Sequence, residues 1–252
     1  MLVRLVYPPQ CLTCAEWVQS DFGLCPTCWR DTPFVGIGGT VCDLCGMPVL
    51  PDPDAGADDP APICDDCTTL ARPWSRGRTA LLYRDNACRI VLGLKHGDRQ
   101  DYARPAARWM ARAAGRMLAR PDGVPETQTP PVLLAPIPLH WRRMLKRRYN
   151  QAALLALGMG RLMDLPVCPD LLRRTRPTRI HQRLTATDRF ANMQDAIAVT
   201  PRHRGRIKGA TVLLVDDVMT SGATLAAAAD ACLSAGATDV LVQTLARVAK
   251  GD

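Results

Sequence analysis

Residues 212–225 read VLLVDDVMTSGATL. Four apolar side chains run into two adjacent carboxylates, Asp216 and Asp217, and a string of hydroxyl and small residues follows. So short and continuous an apolar run predicts a strand buried on both faces, as in a parallel sheet. Gly222 permits a tight reversal with close backbone approach, and Ala223 and Thr224 open a helix whose first N–H groups have no partner of their own. Free amides and the helix dipole both favour an anion there, and Thr220, Ser221 and Thr224 add hydroxyl donors. The acid pair at the carboxyl end of the strand is placed to accept hydrogen bonds from vicinal sugar hydroxyls. A phosphorylated ribose would satisfy both halves of the stretch.

Two other readings compete. A receiver domain also has a strand ending in VDD, but there the acids open the domain, whereas only 35 residues follow Asp217. A plain helix capped by Thr220 or Ser221 leaves the two adjacent acids unexplained.

Outward from this stretch the chain alternates. Strands are predicted at RTALLYRD (78–85), PVLLAPIP (131–138), LLRRT (171–175), TVLLVDD (211–217) and DVLVQTLA (239–246), and helices over 87–97, 102–119, 151–162 and 223–235. Apolar strands interleaved with helices predict an α/β fold, a parallel sheet with helices on both faces. Ligands of such sheets sit outside the carboxyl ends of the strands, where Asp216 and Asp217 lie. PDPDAGADDPAP (51–62) and RPDGVPETQTPP (120–131) read as irregular connections.

The charge is divided unevenly. Residues 1–70 hold two basic and ten acidic groups, and residues 71–252 hold thirty and fourteen, so balances of −8 and +16 underlie the net +8. That split predicts two modules, 1–70 and 71–252, the second facing an anionic partner such as a phosphorylated metabolite or nucleic acid.

Eight of the eleven cysteines form four C-x-x-C pairs: Cys11 with Cys14, Cys25 with Cys28, Cys42 with Cys45, and Cys64 with Cys67. A two-residue gap lets both thiolates of a turn face one ion, and two turns complete a tetrahedral set, so two structural Zn2+ ions are expected. The simplest pairing takes neighbours in order; a cross-braced arrangement stays open at this stage. Disulfides are disfavoured because nothing in the sequence directs the chain to an oxidising compartment, and no βαβ pattern surrounds these turns to suggest a redox pair. Cys88, Cys168 and Cys232 read as buried small hydrophobes. The start MLVRLVYPPQC is broken by Pro8 and Pro9, and no apolar stretch is long enough to span a bilayer, so a cytoplasmic location without membrane insertion is expected.

VLLVDDVMTSGATL resembles the phosphoribosyl-pyrophosphate (PRPP) motif of type I phosphoribosyltransferases, with Met219 and Ser221 as conservative variants. With YPPQCLTC (7–14), GLKHGDR (93–99), PIPLHWRRMLKRRYNQAALLA (136–156) and HQRLTATDRFANMQDAI (181–197), the whole chain resembles the ComF family of competence-associated proteins. These join a double zinc ribbon to a phosphoribosyltransferase-like domain. The resemblance implies that Asp216 and Asp217 hold the ribose hydroxyls and are the catalytic pair. Thr220, Ser221, Gly222, Ala223 and Thr224 would take the 5-phosphate. The loop 138–140, with His140, would approach the pyrophosphate, helped by Arg142, Arg143, Lys146, Arg147 or Arg148. Lys95 is a further phosphate contact, and Gln182, Arg183, Arg189 and Asn192 fall where such folds carry a mobile loop. Mg2+ would accompany PRPP.

The resemblance also implies handling of incoming single-stranded DNA, to which the basic segments 142–148, 173–189 and 202–208 are suited, with Trp141, Tyr149 and Phe190 for stacking. The alternative is an active transferase with an unidentified acceptor. Against base salvage stands the tail VLVQTLARVAKGD (240–252), which has no aromatic wall for a base.

Overall fold

The computed structural model describes residues 7–36, 39–54, 56, 59–96, 99–119, 130–177 and 185–249. Two short helices, α1 (Pro26–Arg30) and α2 (Asp65–Thr69), belong to the cysteine-rich part. Then follow β1 (Arg76–Leu82), α3 (Asp85–His96), α4 (Ala103–Leu118), β2 (Val132–Pro136), α5 (Trp141–Arg147), α6 (Gln151–Met163), β3 (Leu172–Arg174), α7 (Ala186–Met193), β4 (Ile197–Val199), α8 (Arg204–Ile207), β5 (Thr211–Met219), α9 (Ala223–Ser234) and β6 (Asp239–Arg247).

The main sheet runs β1-β6-β5-β2, parallel throughout. Val212, Leu213, Leu214 and Val215 of β5 are fully buried, which is why this strand carries no polar alternation. Leu213 and Val215 belong to one core cluster with side chains of α3, α4 and α6; Val212 and Leu214 belong to another that runs from α9 to Cys42, Cys45 and Cys67 of the cysteine-rich part. At about 1.5–3 kcal/mol for each buried Val or Leu, β5 is a principal anchor of the fold. Both sheet edges are covered. Val35 N donates to Ala80 O and Leu82 N to Pro33 O along β1, while Leu134 of β2 bridges Val167.

Two elements differ from the sequence expectation. The strand near 171–175 does not join the main sheet: β3 pairs antiparallel with β4, a three-residue strand too short to show periodicity. The stretch carrying Arg189 and Asn192 is helical, because Thr185 accepts from Asp188 N and the Asp188 carboxylate accepts from Thr185 N in a capping box. Gln182 and Arg183, the connection over 120–129, and the side chains of Arg142 and Lys146 lie outside the described residues. Cys168 and Cys232 are buried as expected, but Cys88 is only half-buried.

Candidate functional site

The thiols of Cys11, Cys14, Cys25 and Cys28 lie within 4.8 Å of one another, as do those of Cys42, Cys45, Cys64 and Cys67. The pairing is therefore sequential, and the cross-braced arrangement is excluded. Cys14 and Cys25 stand 3.7 Å apart at sulfur, Cys45 and Cys64 3.6 Å. A tetrahedral zinc ion with bonds of about 2.3 Å has sulfur–sulfur edges of about 3.8 Å, whereas a disulfide closes to about 2.05 Å. Amides support the thiolate charge: Cys25 N donates to Cys11 Sγ at 3.2 Å and Cys28 N to Cys25 Sγ at 3.4 Å. Both sets fit Zn2+, and four sulfurs leave no open coordination position.

The two knuckle pairs differ in what they touch. Cys11, Cys25 and Cys28 form a small cluster with Val18 and Leu24, whereas Cys42, Cys45 and Cys67 share the core with Trp74, Met219 and Ala223. Gly46, at φ +74°, sits so close to β1 that a Cβ there would meet Thr79 N at 2.5 Å. The second ribbon is thus packed under the end of β5.

At that end Asp217 is 9% exposed and its Oδ1 lies 3.2 Å from Lys95 Nζ, at the C-terminus of α3. Asp216 Oδ1 accepts from Asp217 N at 2.9 Å. Burial, reinforced by the Asp217 charge, pushes the Asp216 carboxyl up to about 7 despite Lys95 and Arg174. Burial pulls Arg174 and Arg147 down; the charge of Asp216 opposes this at Arg174, and that of Asp217 at Arg147. Acids and bases thus alternate across the site, which suits a polyanionic sugar phosphate held at both ends.

The turn after β5 is built from behind. Gly222, at φ +83°, caps α9 and no side chain occupies the cap position, although Ser221 Oγ accepts weakly from Ala223 N at 3.4 Å. Three consecutive carbonyls are taken by guanidiniums. Arg247 Nη1 donates to Met219 O at 3.3 Å and also to Thr220 O, and Arg72 Nη1 donates to Ser221 O at 2.6 Å. With these carbonyls taken by guanidiniums, the amides of the turn are left to serve an anion. Arg247 is 1% exposed and pairs through Nη2 with Asp66 of α2 at 3.0 Å, and Arg72 stacks 5.3 Å from the Trp74 ring. Both supports come from or lead to the second ribbon. Sequence reading missed Arg72 and Arg247, because nothing local marks an arginine as buried.

The segment 147–151 holds the remaining parts in register. Asn150 Nδ2 donates to Ile137 O at 3.0 Å while its Oδ1 caps α6 on Ala152 N, and Tyr149 OH donates to Leu94 O at 2.7 Å, next to Lys95. Arg174 Nε donates to Pro138 O at 3.0 Å. The loop 138–140, Lys95 and the acid pair are tied together in this way. His140 opens α5, its carbonyl accepting from Arg143 N and Met144 N. Arg148 is exposed at φ +65°, whereas Arg147 is half-buried and bonds Gln151 at 3.3 Å, so Arg147 is the inward member of the pair. Phe190 lines a cavity of about 1050 Å³ between α7 and α9, apart from the acid pair. A third group of ligand-type side chains, Cys168, Asp170 and His203, is crowded by Arg202 and Arg206, which disfavour a cation.

Among known proteins, the chain matches the double zinc ribbon domain over residues 2–73 and the phosphoribosyl transferase domain over 178–252. It is 28% identical over 244 residues to the DNA utilization protein YhgH of Salmonella typhi, covering 96% of this chain and 99% of that one. To competence protein F of Haemophilus influenzae it is 32% identical over 117 residues, 46% of this chain and 51% of the relative. Superposition on the allosteric regulatory enzyme of purine biosynthesis covers 61% of this chain and 30% of the enzyme, at 17% identity and a TM-score of 0.38. Among the described residues no helix is long and apolar enough to cross a membrane.

Proposed function

This chain belongs to the ComF family, which joins a double zinc ribbon to a phosphoribosyltransferase fold, and we propose that it binds PRPP as part of competence and DNA utilization. Asp216 and Asp217 accept from the ribose 2- and 3-hydroxyls. Thr220, Ser221, Gly222, Ala223 and Thr224 hold the 5-phosphate through amides and hydroxyls. The pyrophosphate end meets the loop 138–140 with Arg147 and Arg174. One observation carries this reading: the carbonyls of Met219, Thr220 and Ser221 are all taken by Arg247 and Arg72, and α9 starts from a glycine cap five residues after Asp217.

Asp216 and Asp217 offer hard oxygen donors of the kind Mg2+ takes directly or through water. Bound with the pyrophosphate, Mg2+ supplies neutralisation of leaving-group charge. The chain's own residues orient the ribose, keep the phosphate end fixed and place cationic groups at the pyrophosphate; were an acceptor bound, displacement at the anomeric carbon would need no protein nucleophile.

Calorimetry with PRPP and Mg2+, beside a pyrophosphate-release assay across nucleobases and single-stranded DNA, tests the reading. Binding that disappears in Asp216→Asn/Asp217→Asn is expected. Absence of PRPP binding by zinc-loaded protein would overturn it, and acceptor-dependent release would make the chain a transferase rather than a binding module.

A further inference from the structure

The arginines of α4 fall at 104, 108, 112 and 116, and all four are exposed. Steps of four residues set them along one slowly turning stripe, about 6 Å apart on the helix axis. No acid pairs with any of them among the described residues. Like charges at this spacing repel, so the stripe favours an anionic partner.

The first ribbon lays aromatic rings alongside the same helix. Arg104 stands 5.1 Å from the Phe22 ring. Further along, Trp29 and Phe34 are tilted at 37° with centroids 4.5 Å apart, and Phe34 meets Trp109 of α4 edge-on at 5.2 Å. These three rings, with Arg112 and Arg116, wall a cavity of about 190 Å³. Ligand pockets usually start at about 300 Å³, so this one suits a single flat ring. Trp29 is 46% exposed, which leaves much of the ring free to stack. Cationic groups in file beside an exposed aromatic ring are the chemistry of single-strand binding, where phosphates meet the charges and a base lies on the ring.

We propose that this face binds single-stranded DNA, with backbone phosphates along Arg104, Arg108, Arg112 and Arg116 and one base against Trp29. The proposal rests on the reading of the chain as a DNA-handling protein, and it places the strand on residues outside the acid-pair site and outside the segments 142–148, 173–189 and 202–208. A duplex keeps its bases stacked and offers none to the cavity.

Fluorescence anisotropy of a labelled oligothymidine on the full-length, zinc-loaded protein tests this across a salt series. Each neutralised phosphate contributes about −0.7 to the slope of log affinity against log salt. Arg108→Gln/Arg112→Gln/Arg116→Gln is expected to flatten that slope by about 2. Trp29→Ala should weaken binding at least about fivefold at every salt concentration, with Trp29→Phe restoring most of it. Unchanged zinc content and PRPP affinity in each variant would show that the fold and the other site are intact. Wild-type binding indifferent to both sets of variants would overturn this site while leaving the DNA reading in place. No binding at low salt would overturn both. Equal binding of duplex, or equal competition by an oligoglutamate peptide, would overturn the base in the cavity.

Discussion

Arg72 Nη1 donates to the carbonyl oxygen of Ser221 at 2.6 Å, across 149 residues of chain. The donor lies five residues beyond the last zinc-type cysteine, Cys67, and the acceptor is in the turn that would hold phosphate. The segment leaving the second ribbon therefore holds the ligand turn directly. Arg72→Gln should weaken PRPP binding roughly tenfold, the scale of one charged hydrogen bond, with zinc content unchanged. Calorimetry on protein of verified metal content checks this.

The two zinc sites should not be equivalent. Cys64→Ser opens the site that shares the core with Met219 and Ala223, and it should lower both melting temperature and PRPP affinity. Cys14→Ser opens the site whose cysteines cluster with Val18 and Leu24 rather than with Met219 and Ala223, and it should leave PRPP affinity near wild type. Zinc stoichiometry, melting curves and calorimetry on the two variants separate these outcomes.

Gly222 is held at φ +83°, and a Cβ there would lie 2.5 Å from Arg72 Nη1. Gly222→Ala combines a left-handed backbone penalty of about 1–2 kcal/mol with loss of the Arg72 contact. PRPP binding should fall by more than tenfold. In an Arg72→Ala background the same substitution should cost less, and a double-mutant cycle on PRPP affinity measures the difference.

The pH dependence follows from Asp216. Its carboxyl is raised from 3.8 to about 7 by burial and by Asp217, so the fold favours the neutral form. The stability linked to this group is fully present below about pH 4 and is lost as pH rises through 7. Ribose hydroxyls need the ionised acceptor, so PRPP affinity should rise between pH 6 and pH 8 while the ligand-free protein becomes less stable. Asp216→Asn should flatten both trends and raise the melting temperature at pH 8. Thermal melts and calorimetry at three pH values check the two slopes.

Legibility in the sequence followed locality. VLLV followed by two acids declared a central strand and its mouth, because burial on both faces removes all alternation. The C-x-x-C pairs declared the metal sites, because two thiolates on one turn need only that spacing. Leu172 and Ile197 could not declare their pairing, since strands of three residues carry no period. Arg247 was less legible still. Arginine belongs at the surface by default, and the acid that makes its burial tolerable, Asp66, is 181 residues away. Lys95 was read as a phosphate contact, and the structure places it on Asp217.

Strand β6 lies between β1 and β5 although it follows both in the chain. A ribosome delivering this chain releases both cysteine modules, β1, β2 and β5 before the strand that joins them exists. The ribbons can load zinc early, but β1 has no parallel partner until residues 239–247 emerge, and α2 has no Arg247 to grip until the same moment. Assembly is therefore governed by its most distant contacts, the topology that folds slowly and leaves edges open while it waits. A chain stopped short of Asp239 would carry loaded metal on a divided sheet, with the phosphate turn unsupported.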